Sequence, residues 1–250
     1  MKKKKNFILV IPARMKSSRL PGKPLLLIKG LPMIIRTCRQ CAKAISKNLI
    51  YVATDNKKIK KKCEEYGFNS IITKKKCLTG TDRVAEIAKK IIAKYYINIQ
   101  GDEPIFDPKD ILKLVKIIKK NPKDVLLGYA KIKKMGDYFN PNKPKVLFDR
   151  EKNLIYAYRK PTQLLEKLNI KKKKPFRGVW AYCFPRKKLI LFSKLNKKTP
   201  LEEKEDIEIL RFLELGINVK VVKMSEKSYA VDVKKDIKKV EGLLSNGRNN

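Results

Sequence analysis

The sequence predicts an α/β protein with a largely parallel sheet and helices on both faces. Three observations predict it. Residues 7–12 are a continuous apolar run, as expected of a strand buried on both faces. Similar short runs at 49–54, 70–73 and 95–100 alternate with helical periodicity over the first 130 residues. The chain has 250 residues, 43% of them hydrophobic, enough for one large domain or a domain with a subdomain.

The elements follow in order. A polar loop containing Pro21-Gly22, residues 13–23, leaves the first strand. Pro32 opens a helix that puts Met33, Ile34, Cys38, Cys41 and Ile45 near one face. The second strand, 49–54, ends at Asp55; Asn56 is placed to cap the next helix and Gly67 to stop it after Tyr66. Residues 70–73 form a third strand. Residues 81–93 form a helix with Val84, Ile87, Ala88 and Ile91 on one side. The fourth strand, 95–100, runs into Gly101-Asp102-Glu103-Pro104, and Pro108 starts a helix ending near Lys119. Ligands in such sheets bind at the carboxyl ends of the strands, so the loops after Pro12, Thr54, Thr73 and Gln100 are expected to converge.

The second half is less regular. Strands are expected at 125–133, 145–148, 178–184 and 219–224, with a helix over 200–215 ended by Gly216. A strand end at 231 leads into a last helix to 244; residues 159–175 read as a loop or short helix, and 245–250 as a disordered tail.

Composition narrows the chemistry. There is no histidine, which removes Ser-His-Asp and Cys-His mechanisms and every histidine metal site. Carboxylates, lysine, arginine, backbone amides or a bound cation must do the work. The five cysteines are irregularly spaced; Cys38 and Cys41 share a helix face and read as buried structural thiols rather than a redox or metal pair. No apolar run reaches the length of a membrane span. The lysines before residue 7 and the apolar run after them resemble a signal sequence, but Arg14 and Lys16 follow too soon, so a cytoplasmic protein is expected. The net charge is +38, with lysines in nearly every segment on the polar side of the apolar pattern. Two readings stand: a lysine-rich surface that draws anionic substrates, or a nucleic-acid binder supported by charge alone, with no zinc-finger, RNP1 or basic-zipper pattern.

Four motifs carry chemistry. Residues 11–24, Ile-Pro-Ala-Arg-Met-Lys-Ser-Ser-Arg-Leu-Pro-Gly-Lys-Pro, leave the first strand with Arg14, Lys16, Arg19 and Lys23 in ten positions. The turn is either a basic surface loop or a cradle for a triphosphate. Gln100-Gly101-Asp102-Glu103-Pro104 ends a strand with two acids, which are either solvated turn residues or oxygen ligands for Mg²⁺. Asp232, after Ala230-Val231, becomes a second ligand if the fold brings it beside Asp102. Thr79 or Thr81 can cap the helix that follows, or Thr79-Gly80-Thr81-Asp82-Arg83 can hold a nucleotide.

Together these motifs resemble 3-deoxy-manno-octulosonate (KDO) cytidylyltransferases. The likeness rests on Ser18-Arg19-Leu20-Pro21-Gly22-Lys23-Pro24, Ala53-Thr54-Asp55, Thr79-Gly80-Thr81-Asp82-Arg83, Gln100-Gly101-Asp102-Glu103-Pro104, Phe139-Asn140-Pro141-Asn142, the 200–211 segment and Val231-Asp232, in that order. It implies a nucleotide-diphospho-sugar transferase fold, Rossmann-like, with a mixed sheet. One domain spans 1–250: a nucleotide-binding half to 130, a β-rich sugar-binding and dimerisation insertion over 131–200, a return to the core to 244, and a tail. It implies transfer of CMP from CTP to the sugar's anomeric hydroxyl for lipopolysaccharide synthesis, with Mg²⁺ as cofactor and a homodimer as the assembly. By the resemblance Arg14 and Lys23 neutralise the phosphates and Asp102 and Asp232 hold Mg²⁺. Ser18, Arg19, Thr79, Gly80, Arg83 and Gln100 bind substrate near the nucleotide and sugar acid, and Arg159 and Glu208 line the sugar side. No specific nucleic acid and no membrane is expected as a partner. Three positions depart from the family pattern: Cys77-Leu78-Thr79 replaces a His-x-Ser, Phe176 replaces a histidine and Ile209 a glutamine. The last two are expected on the sugar side, so an 8-amino octulosonate or a nonulosonate stays open as the sugar.

Overall fold

The computed structural model describes residues 5–17, 19–161 and 175–245. The first half contains β1 (Lys5–Ala13), β2 (Leu27–Ile28), β3 (Leu31–Pro32), α1 (Met33–Ala42), β4 (Ile50–Thr54), α2 (Lys57–Glu65), β5 (Asn69–Ile72), α3 (Gly80–Lys90), β6 (Ala93–Ile99) and α4 (Pro108–Lys120). The second contains β7 (Val125–Lys131), α5 (Met135–Phe139), β8 (Lys145–Phe148), β9 (Leu154–Tyr158), β10 (Phe176–Pro185), α6 (Arg186–Phe192), α7 (Pro200–Glu205), α8 (Leu210–Glu214), β11 (Val219–Lys223) and α9 (Lys234–Ser245).

The main sheet runs β11-β7-β10-β6-β1-β4-β5, with β8 on β10 and β9 on β8. Strands β6, β1, β4 and β5 are mutually parallel, as alternating strands and helices require. The sheet is mixed because β10 inserts antiparallel between β6 and β7, while β11 returns parallel to β7. The run over residues 7–12 is almost wholly buried because β1 lies in the middle of this sheet, with layers on both faces. One face packs Ile8 and Val10 against Val84, Ile87 and Ala88 of α3 and Leu189 and Phe192 of α6. The other packs Leu9 and Ile11 against Ile34, Ile35, Cys38 and Cys41 of α1, Ile59 and Cys63 of α2, and Ile111 and Leu114 of α4. Four of the five thiols, these three and Cys183 of β10, are core packing, and truncating a buried isoleucine such as Ile11 to alanine costs about 3 kcal/mol. A third cluster joins Val240 and Leu244 of α9 to Ile28, Met33, Ile105 and Val231, which pins the chain's return against the first loop.

Several expectations are met locally. Asn56 caps α2 by accepting from the Lys58 amide, and Gly67 ends it with φ +73°. Thr79, not Thr81, caps α3, in a capping box with Asp82. Others are corrected. The helix expected over 81–93 stops at Lys90 and Ala93 already begins β6, because the Ala93 and Tyr96 side of the chain is held by the sheet. The helix expected over 200–215 is two helices, broken where Asp206 takes a left-handed conformation, φ +51°. Helix α6 and strand β9 were not expected, and residues 162–174 and 246–250, expected to be loop or short helix and tail, lie outside the described residues. No helix among the described residues is long and apolar enough to cross a membrane.

Candidate active site

The four loops converge as the topology requires. At the end of β1 the chain turns through residues 14–23 and closes on itself: the Gly22 amide donates to the Met15 carbonyl at 3.3 Å and the Lys23 amide to that of Leu20 at 3.2 Å. Gly22 supplies the left-handed φ of +66° that this turn needs. Gly101 lets the loop after β6 lie against β1, since a Cβ there would stand 2.7 Å from the Pro12 carbonyl oxygen. Asp55, after β4, accepts the Met15 amide on one oxygen (3.4 Å) and the Arg83 guanidinium on the other (2.6 Å). Arg83 also donates to Thr73 at 2.8 Å, so one buried arginine joins three of the loops.

These loops enclose a cavity of about 320 Å³. Arg14, Arg19, Lys23, Thr79, Gly80, Arg83, Gln100, Asp102, Arg159, Glu208 and Asp232 all line it. Ser18 lies outside the described residues. The structure therefore gathers at one cavity the described residues to which the resemblance gives a phosphate, metal or substrate role.

The two distant aspartates meet. The Lys23 ammonium lies 2.5 Å from Asp102 and 3.6 Å from Asp232, and Arg19 lies 3.1 Å from Asp232. A backbone hydrogen bond stitches their segments together, the Val231 amide donating to the Asp102 carbonyl at 2.9 Å. Beside them Glu103 is buried, and burial together with the charges of Asp102 and Asp232 pushes its pKa up to about 8. Asp102 and Asp232 share the Lys23 ammonium, the chain has no histidine, and no thiol among the described residues stands beside them; such a carboxylate pair suits Mg²⁺, a hard ion held through one or two carboxylates and substrate phosphates. The residues present fit that ion.

The opposite wall is built from the second half. Glu208, partly buried, accepts from the Thr81 amide at 2.9 Å and from Gln100 at 3.3 Å; loss of solvent raises its pKa. Arg159 lines the cavity, but its guanidinium is largely committed to the protein. Nε donates to the Glu205 carbonyl at 2.7 Å, and the two terminal nitrogens reach the carbonyls of Pro141 (3.2 Å) and Asp206 (2.8 Å). Arg14 is exposed at the mouth and makes no ion pair with another described residue, which leaves it open to an anion.

Phe176 and Ile209 were expected on the sugar side, and neither lines the cavity. Ile209 is buried in the core behind α3, and the Phe176 ring packs on Tyr129 and Phe148 at 5.2 and 5.0 Å between centroids. Their polar-to-apolar changes suit those surroundings. Sequence reasoning missed Asp55 and Arg211 as site-building residues. Arg211, fully buried, donates to both oxygens of Glu202 (2.6 and 2.7 Å) and to Asp82 (3.0 Å), and so holds the α3 cap beneath the cavity. The signal available was an arginine within an apolar helical stripe, which is rarely buried unless paired.

An α/β sheet that gathers a cationic turn, a helix cap and two aspartates around one cavity is the arrangement of a nucleotidyltransferase. A family model described as Cytidylyltransferase matches residues 8–228. The chain is 35% identical to the mitochondrial 3-deoxy-manno-octulosonate cytidylyltransferase of Arabidopsis thaliana, over 94% of this chain and 82% of that protein. It is 31% identical to the Escherichia coli 3-deoxy-manno-octulosonate cytidylyltransferase, over 95% of this chain and 96% of that one. A solved structure of a CMP:2-keto-3-deoxy-manno-octonic acid synthetase complexed with CTP superposes with a TM-score of 0.87 at 31% identity, covering 96% of this chain and 99% of that one. The chain belongs to the 3-deoxy-manno-octulosonate cytidylyltransferase family.

Proposed function

We propose that this enzyme transfers CMP from CTP to the anomeric hydroxyl of 3-deoxy-manno-octulosonate, with Mg²⁺ bound by Asp102 and Asp232. The hydroxyl oxygen bonds to the α-phosphorus of CTP. The bond from that phosphorus to the bridging oxygen breaks, its electron pair leaves with pyrophosphate, and the hydroxyl proton passes to solvent. When bound, Mg²⁺ supplies charge neutralisation at the phosphates. The protein supplies position and further charge. Arg14 and Lys23 neutralise the phosphates, and Arg19 closes the turn on them. The α3 cap at Thr79 and Gly80, with Arg83 and Gln100, seats the nucleoside. Arg159 and Glu208 bound the sugar end. Such a displacement needs charge balance and in-line placement more than a protein nucleophile, which fits a chain without histidine.

The observation that carries this reading is the meeting of Asp102 and Asp232 on one cation beside the residue 14–23 turn. A homodimer belongs to the same reading: within the 131–200 insertion Met135, Phe139, Leu147 and Ile155 are exposed, an apolar set suited to a second copy. Because Phe176 and Ile209 lie off the cavity wall, the parent octulosonate is favoured over an 8-amino or nine-carbon acid. Pyrophosphate release with CTP, Mg²⁺ and a panel of sugar acids tests the proposal. Turnover with the octulosonate is expected; release only with a different acid, or none at all, would overturn it.

A further inference from the structure

Lys145 is fully buried, yet it lies off the cavity wall. Taking an ammonium out of water is costly unless the site replaces its hydration. Here the replacement is specific. Nζ donates to two backbone carbonyls, that of Asn140 at 3.3 Å and that of Arg159. The Tyr138 and Tyr158 rings face it with centroids 6.0 and 5.8 Å away.

The two carbonyls are not arbitrary. The Asn140 carbonyl starts the 140–142 turn, whose Asn142 lines the cavity and accepts from Arg19 at 2.9 Å. The Arg159 carbonyl belongs to the residue whose side chain holds the Pro141 and Asp206 carbonyls. Asp206 is the left-handed residue that breaks the helix, and it too lines the cavity. One ammonium thus fixes the turn, the end of β9 and, through Arg159, the α7–α8 junction.

We propose that Lys145 is a positioning residue for the acidic-sugar end of the cavity, holding Arg159 and the 140–142 turn in register without touching substrate. This rests on the placement of the sugar at the Arg159 end. The charged and titratable groups that face Lys145 are Glu205 from α7, Arg159 after β9, and the phenols Tyr138 from α5 and Tyr158 from β9. Burial draws the ammonium down to about 8; Glu205 opposes this and Arg159 adds to it. The group is charged at neutral pH and loses its proton as pH rises through that value, and the two carbonyls then lose their shared donor.

Steady-state kinetics of Lys145→Met with CTP and 3-deoxy-manno-octulosonate test the role. The KM for the sugar is expected to rise about tenfold, the value of one charge-assisted hydrogen bond, with the KM for CTP within about twofold. In the wild type the sugar KM rises as pH passes about 8, and in the variant that rise is absent. Unchanged KM values in a variant that melts as a folded protein would overturn the role, and so would a rise confined to CTP. Should Lys145→Met fail to fold, the wild-type profile decides, and a sugar KM flat across pH 8 overturns it. Wild-type turnover with an unaffected variant sinks the role of Lys145 alone; no wild-type turnover sinks the functional reading with it.

Discussion

Buried Arg83 and partly buried Asp55 form an ion pair, 2.6 Å apart, and the second oxygen of Asp55 holds the Met15 amide. The pair couples the turn after β1 to helix α3, so the ends of the cavity proposed to take the phosphates and the nucleoside share one anchor. Asp55→Ala leaves the Arg83 guanidinium buried without its partner, and such a loss costs about 3 kcal/mol. The expected outcome is that drop in urea unfolding, with a higher KM for CTP. Unchanged stability would mean that the pair is dispensable.

Lys23 stands between the two aspartates, where it would compete with the proposed cation. Lys23→Ala is expected to raise the KM for CTP at least tenfold and leave the sugar KM within about twofold, a split that steady-state kinetics reads directly. A change confined to the sugar would mean that the turn serves the other substrate.

Much of this geometry is legible in the sequence because local rules and topology agree. An apolar run followed by a Gly-Pro turn, an asparagine cap, and an acidic pair after a strand each point one way. Parallel β-α order then forces their loops to one edge. What is not legible depends on contacts across the fold. Residues 200–215 have helical propensity throughout, yet Arg159 draws on the carbonyls of Glu205 and Asp206 and the helix breaks there. Phe176 and Ile209 sit in the right segments for sugar contact, but periodicity alone does not say which wall each faces; the aromatic packing of one and the core burial of the other decide it. Arg211 falls in the 200–211 segment, but its role under the cavity emerges only when Glu202 and Asp82 are seen to enclose it.

The net charge of +38 lies mostly outside the cavity. Among the described residues six cationic and six acidic side chains line it. Charge of this kind steers an anion from a distance rather than binding it. The kcat/KM for CTP is expected to fall about tenfold between low salt and about 0.5 M salt, with kcat nearly constant. A flat kcat/KM would show that the lysine surface plays no part in encounter.

Ile155 is exposed on β9, paired through β8 to the main sheet. A charge placed there should disrupt an apolar contact between two copies. Sedimentation of Ile155→Glu is expected to give a monomer where the wild type gives a dimer, with a far-UV spectrum unchanged. A wild-type monomer would remove the insertion's assembly role.

The direct test of the two-aspartate site is the turnover of Asp102→Asn and Asp232→Asn, measured as pyrophosphate release at saturating CTP and across a Mg²⁺ titration. Each substitution keeps the side chain's size and removes one charge from the pair. Each is expected to lower kcat by a factor of about a thousand and shift the Mg²⁺ dependence to higher concentration, with thermal unfolding close to that of the wild type. A folded variant of either kind that works at close to the wild-type rate and the wild-type Mg²⁺ requirement would contradict the site.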